Sequence, residues 1–290
     1  MSSSEPRAGL TAMAKSLLVG LEDSAGTDRA TELAIEIAQA QGARLVGLAI
    51  IDEPDITAGA AMGIGGSSYK QDRDKILIED AHRRAREHEE LFEHRCKKAS
   101  VPARVLEVSG RPAEMILEEL QHHDMVLLGR DANFRFETQA ADTRTWDLVL
   151  HRASRPLIVV PENEVASSNA VALAYDGSVA ATRAMRSFVS SGLARGRELH
   201  VVTVHENGAT GWEIATEAVQ ALEELGYKAQ LHNIVSVLPL AKALLQTAAS
   251  VNASLIVMGA FAHSRLRHLF RGSATQQLVE QTTIPLFLTH

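Results

Sequence analysis

The stretch whose reading decides the fold is Leu255–Ser273, LIVMGAFAHSRLRHLFRGS. Its first four residues, Leu255-Ile256-Val257-Met258, form a short apolar run of the kind buried as a parallel strand. Gly259 ends the run, and a basic loop follows with Arg265, Arg267 and Arg271. Gly272-Ser273 then introduces a helical segment over Ala274–Glu280, with Ser273 as N-cap or first-turn residue. A strand, a glycine, a basic loop and Gly-Ser at a helix start present backbone N–H groups to an anion. The glycines are too far apart for the dinucleotide-binding fingerprint or the P-loop. By spacing alone the stretch reads equally well as an ordinary strand–loop–helix junction.

Composition narrows the classes. The chain has 290 residues, 46% hydrophobic and 22% charged, with a net charge of −7. That length suggests about two domains. No apolar run approaches the roughly 20 residues that span a bilayer. The opening residues, MSSSEPRAGLTAMAKS, lack the apolar core of a signal peptide and read as a disordered tail over 1–14. Cys96 is the only cysteine, which excludes an internal disulfide and a cysteine-based metal site; it reads as packing on a helix face. These features make the cytoplasm the expected compartment, with no membrane partner. The acidic balance argues against a nucleic-acid partner, which calls for a basic footprint.

Taken in order, the first half alternates strands and helices. Strands are expected at Ser16–Gly20, Arg44–Ile50, Ala103–Val108, Met125–Leu128 and Leu157–Val160. Helices are expected at about Thr27–Gln41, Asp72–Ala99, Ala113–His122 and Thr143–Ala153. The first helix carries Ala30, Leu33, Ala34, Ile37 and Ala38 on one face, with Gly42 as terminator. The long charged helix has Ile76, Ala81, Ala85, His88, Phe92 and Cys96 toward its inner side. Asp52–Tyr69, rich in glycine, alanine and serine, reads as a mobile loop. Pro161–Asn169 reads as a linker, with domains at 15–161 and 170–290.

The pattern then begins again. Ser24 and Ser178, Arg29 and Arg183, Gly42 and Gly196, and Leu45 and Leu199 are each 154 positions apart. Pro112 and Pro239 are 127 apart, Gly129 and Gly259 130, and Pro156 and Pro285 129. The fall in offset places the extra residues in the first half's long loop and helix. This is one α/β unit written twice. Strands alternating with helices imply a parallel sheet with helices on both faces. The closing strands, Leu157–Val160 and Leu286–Thr289, are the edges that seek a partner.

At these residues the chain resembles a tandem universal stress protein, each half similar to a whole family domain over about Lys15–His290. The resemblance rests on a strand ending in a small residue and Asp, here Ala174-Tyr175-Asp176-Gly177-Ser178. It rests equally on Gly259, then Ala262, then nine residues, then Gly272-Ser273, with Ala262 where the family has glycine. It implies two doubly wound, five-stranded parallel sheets, Rossmann-like and of the adenine-nucleotide alpha-hydrolase type, paired as an internal pseudo-dimer. It also implies dimerisation through the last strand and ATP or AMP, with or without Mg, bound in many members and no nucleotide in others; protein partners and a homodimer stand as further expectations.

Carried over residue by residue, the resemblance puts Asp176 at a ribose, flanked by Ala174 and Tyr175. Val204 would contact adenine. Met258 and Gly259 would line base and ribose, and Gly272, Ser273 and Ala274 would hold phosphate oxygens. A methyl at Ala262, if its backbone is left-handed, costs about 1 kcal/mol. In the first half Gly129 and Ala132 keep the spacing, but Asp142-Thr143 stands in place of Gly-Ser and would repel a phosphate. Glu22 aligns with Asp176, or Asp23 if the turn shifts. The first half is expected to have lost nucleotide binding.

Other chemistry is weaker. His263, Ser264, His268 and Asp176 have no oxyanion hole to make a triad, so no catalytic residue is expected. His122-His123 reads as a helix C-terminal pair, and His82, His88 and His94 do not share a face, so no metal site is expected. His82–Glu90 reads as a solvated face of Glu–Arg pairs. Arg265, Arg267 and Arg271 read as a phosphate-facing rim, with a plain basic surface loop as the alternative.

Overall fold

The protein's structure, a computed structural model, describes residues 13–58, 67–134, 144–164, 167–236, 239–260 and 273–290. The elements, in chain order, are β1 (Ser16–Leu21), α1 (Ala25–Gln41), β2 (Arg44–Ile51), α2 (Glu53–Ala58), α3 (Ser67–Lys98), β3 (Ala103–Ser109), α4 (Pro112–Leu120), β4 (Met125–Gly129), α5 (Thr145–Leu150) and β5 (Leu157–Val160). They continue as β6 (Ala170–Ala174), α6 (Val179–Ser190), β7 (Glu198–His205), α7 (Gly208–Glu224), β8 (Ala229–Val235), α8 (Leu240–Ser250), β9 (Leu255–Gly259), α9 (Ser273–Gln281) and β10 (Leu286–Thr289). The chain divides into two compact bodies. The first holds Lys15–Val165 with Val279–His290, and the second Ala166–Leu278 with Ala14.

The first body is built on strands in the order β3-β2-β1-β4-β5-β10. Five run parallel, and β10 lies antiparallel to β5, Leu286 opposite Val159 and Leu288 opposite Leu157. All four residues of each of these two strands are buried, as expected of apolar edges that find a partner. The second body has the parallel order β9-β6-β7-β8. One fifth strand to each copy is therefore right as a count, but the second copy's fifth strand, β10, is grouped with the first body.

The repeat holds at the level of register. Ser16 sits opposite Arg44, and Ala170 opposite Glu198. Leu17 sits opposite Met125, and Val171 opposite Leu255. The serines 154 positions apart are both N-caps: the Ser24 hydroxyl accepts the Thr27 amide, and the Ser178 hydroxyl accepts the Ala181 amide. Each removes one orphan donor at a helix start. The expected inner face of α1 is buried throughout.

Two expectations are corrected. Asp52–Tyr69 is not one long loop. The buried Asp52 carboxylate accepts the Asp55 amide at 3.1 Å and starts α2, and Ile56, 1% exposed, packs with Ala49, Ile51, Ala81 and Ala85. α3 already begins at Ser67; residues 59–66 lie outside the described residues. On α3, Ala81, Ala85, Phe92 and Cys96 are buried, but Ile76 is 64% exposed and Leu77 and Ile78 pack inward instead. Four-residue steps back from Ala85 and Ala81 reach Leu77, whereas Ile76 falls well off that face. The solvated run is paired as expected, Arg83 with Glu87 and Asp80 and Arg84 with Asp80. Burial pushes the Cys96 thiol up to about 11, leaving it a packing residue.

Candidate functional site

In a doubly wound sheet, ligands sit outside the carboxyl ends of the strands where the strand order reverses. That point lies between β6 and β9 in the second body and between β1 and β4 in the first. The second body brings Ala174, Tyr175 and Asp176 to the end of β6 and Gly259 to the end of β9, with Val204 near the end of the neighbouring strand β7. Ala174, Tyr175, Val204 and Gly259 are half-buried and Asp176 is exposed.

The backbone here is firmly held. The Tyr175 amide donates to Val202 O at 3.0 Å, and the Thr203 hydroxyl donates to Tyr175 O at 2.8 Å. The Tyr175 hydroxyl lies 3.0 Å from the Thr182 hydroxyl on α6. The Asp176 carboxylate accepts the Ser178 amide at 2.9 Å, folding back on its own turn. Met258, expected at the base, is buried with the core.

Gly259 carries a role the sequence reading missed. A β-carbon there would lie 2.3 Å from the Ala180 carbonyl carbon and 2.5 Å from its oxygen. The first turn of α6 thus presses on the end of β9, and helix packing by itself accounts for the glycine. Gly129 repeats this in the first body, 2.6 Å from the Thr27 amide nitrogen. Ser273 opens α9, as expected for a residue at a helix start, and Ala274 follows it. Ala262, Gly272, His263, Ser264, Arg265, Arg267, His268 and Arg271 lie outside the described residues, as do Asp142 and Thr143 and the side chains of Ser273 and Ala274.

The first body's strand ends are arranged differently. Gly20, Leu21, Ile50 and Gly129, the counterparts of Ala174, Tyr175, Val204 and Gly259, are all buried. Phe134, 3% exposed, lies against Gly20: a β-carbon there would meet its ring at 2.6 Å and Leu128 at 2.7 Å. Glu22 takes the place of Asp176, and Asp23 stays exposed. The Glu22 carboxylate reaches across to the segment after β4, where Oε2 accepts the Asn133 amide at 2.9 Å and the Phe134 amide at 2.5 Å. Burial pushes this carboxyl up to about 7, against the lowering effect of the two amides, with the Asp131 carboxylate adding to the rise. The signal for this closure was the glycine at 20 where the second copy has an alanine.

His123 also departs from its reading as a helix-end cation. It is buried, its Nδ1 lies 2.7 Å from the Ser16 hydroxyl, and burial with Arg104 and Arg44 nearby pushes it down to about 4. Neutral at ordinary pH, it cannot answer the helix dipole. No group of three or more potential metal ligands occurs among the described residues.

Two copies of a doubly wound α/β unit, each with a reversal of strand order, place the chain in the class of doubly wound α/β proteins. The profile of the universal stress protein family matches residues 13–161 and 168–290, and the chain belongs to that family. Universal stress protein Slr1230 of Synechocystis sp. (strain ATCC 27184 / PCC 6803 / Kazusa) is 28% identical over 173 residues, 59% of each chain, so the chain matches somewhat over half the length of that relative. The crystal structure of a universal stress protein from Archaeoglobus fulgidus DSM 4304 is similar with a TM-score of 0.71 at 21% identity, over 96% of this chain and 97% of that one. A functionally unknown protein from Pseudomonas aeruginosa PAO1 is similar with a TM-score of 0.55 at 15% identity, over 95% and 92%. These two structures share the fold. No helix among the described residues is long and apolar enough to cross a membrane.

Proposed function

We propose that the second body binds one adenine nucleotide, ATP or AMP, at the ends of β6, β7 and β9, and that the chain serves in a cytoplasmic stress response by binding rather than by turnover. The observation that supports this reading is the contrast between the copies: four strand-end positions that are half-buried in the second body, Ala174, Tyr175, Val204 and Gly259, are buried in the first, and Asp176 is exposed where Glu22 is half-buried. The residues present fit such a ligand. The exposed Asp176 has the acceptor chemistry for two ribose hydroxyls, and half-buried Val204 offers an apolar contact for a base. The start of α9 at Ser273 supplies helix N-terminal amides of the kind that hold phosphate.

A nucleotide-free interaction scaffold is the second reading, favoured by the packing that already explains Gly259. The two are separated by denaturing freshly purified protein and identifying released nucleotides by chromatography and mass. One adenine nucleotide per chain is expected. Two per chain would refute the single-site reading. None, with no calorimetric binding of added ATP and Mg, would put the scaffold first.

A further inference from the structure

The two copies treat their free sheet edges differently. β3 ends the first body's strand order and pairs with β2 alone, and β8 ends the second body's and pairs with β7 alone. An unpaired edge is a row of open N–H and C=O groups, which proteins commonly guard with charged side chains. β3 is guarded in that way: it carries Arg104 and Glu107, and Glu107 Oε1 lies 3.0 Å from His82 Nδ1 on α3. β8 has 7 residues, Ala229–Val235, with no Asp, Glu, Lys, Arg or Pro among them. Among the described residues, no backbone hydrogen bond is formed on the side of β8 away from β7.

Exposed apolar surface flanks this edge. Val235, at the end of β8, is 62% exposed, and Trp212 on α7 is 57% exposed. A β-carbon on Gly208 would meet Val235 Cγ2 at 3.0 Å, so the start of α7 lies against Val235. Trp212 stands about one helical turn beyond Gly208, on the same side of α7.

We infer that β8 is a docking edge for a second copy of this chain, the two β8 strands pairing antiparallel about a two-fold axis. Self-pairing suits this strand. Laid against itself about His232, it sets Ala229 opposite Val235, Gln230 opposite Ile234 and Leu231 opposite Asn233, so no like charges face each other. His232, at the centre, is drawn toward its own sheet by His200, Nε2 lying 3.0 Å from Nδ1. Main-chain hydrogen bonds supply the attachment, and a closed two-fold leaves neither β8 edge open. The apolar edge of β5 offers no rival, being already paired with β10 within the chain. The inference holds whether or not the second body binds nucleotide.

Sedimentation velocity and amide hydrogen exchange on the full chain, from about 0.1 to about 100 μM, span the affinities of a modest interface and test this. A dimer is expected within that range, with exchange over Ala229–Val235 at least about tenfold slower in the dimer than in the monomer. The double variant Gln230→Lys, Val235→Lys changes two exposed side chains and sets ammonium groups opposite apolar residues of the other copy. It should stay monomeric and exchange rapidly along β8 at every concentration. A wild type that is monomeric throughout overturns the inference and leaves the edge to an extended segment of another protein. A dimer whose added protection lies outside β8 overturns it too, as does a double variant that dimerises like the parent. The dilution series on the wild type reads the same protection without any variant, so a double variant that fails to fold does not blunt the test.

Discussion

Arg130 donates through Nη1 to the carbonyl of Thr282 at 2.7 Å, joining the end of β4 to a residue 152 positions further along the chain. The same nitrogen reaches the carbonyls of Val279 and Glu280 at 3.2 Å, and Nε and Nη2 hold Glu162. One guanidinium thus caps the last turn of α9, where the carbonyls lack helical partners and the dipole is negative.

Arg130→Ala is expected to destabilise the protein by about 2–3 kcal/mol, the range for hydrogen bonds to a charged group in a half-buried setting. The loss should be local as well as global: hydrogen exchange at β10 should accelerate more than at β1 or β2. Unchanged protection across Leu286–Thr289 would show that the strand is held without this residue.

Replacing Asp176 by Ala should weaken any adenine nucleotide affinity by about 1.5–3 kcal/mol, roughly 10- to 100-fold, if it accepts ribose hydroxyls. Gly272→Asp, which copies the first half's carboxylate, should abolish it. Isothermal titration calorimetry with ATP reads both. Parental affinity in both variants would remove these residues from the site.

Gly259→Ala and Gly129→Ala should each cost about 1–3 kcal/mol or more, because the new methyl meets helix backbone that cannot swing aside. Thermal melts in the absence of nucleotide check this. A stable Gly259→Ala would mean that α6 can retreat from β9.

Two groups set opposite pH trends. The folded pKa of His123, about 4, lies below its ordinary value, so its neutral form is favoured by folding. Its contribution is present above about pH 6.5 and is lost as pH falls toward 4. The folded pKa of Glu22, about 7, lies above the ordinary value, so its protonated form is favoured. That contribution is complete below about pH 4.5 and is lost as pH rises through 7. His123→Asn should flatten the acid limb of a denaturant-derived stability profile. Glu22→Gln should raise stability at pH 8 relative to the parent and leave pH 4 nearly unchanged. A parental alkaline limb in Glu22→Gln would locate the trend elsewhere.

What the sequence made legible was local or periodic. Ser24 and Ser178 announced their helices by residue type and position, and Ala30 through Ala38 announced a buried face by spacing. The 154-residue offset predicted the strand register because the same side chains face the same neighbours in both copies. Asp176 and Gly259 could be placed together because each ends a strand whose order follows from the repeat. The misses came from contacts that join distant residues. Nothing local to Glu22 says that it reaches Phe134, 112 positions away. Nor does a glycine- and serine-rich stretch show that Asp52 starts a helix and that Ile56 is drawn into a core completed by α3. Gly259 was read as an opening for a ligand because the approach of α6 is visible only in three dimensions.

The placement of β10 has a consequence in time. Val159 on β5 is paired with Leu286, 127 residues later. During synthesis the first copy can assemble its five parallel strands, but the outer edge of β5 stays open until nearly the whole second copy has been made. An apolar, unpaired strand exposed for that interval is an invitation to another nascent chain. Closing it depends on a contact of long sequence separation, and such contacts form slowly. Early arrest of translation would therefore leave this edge bare, and fragments ending before β10 should aggregate through β5.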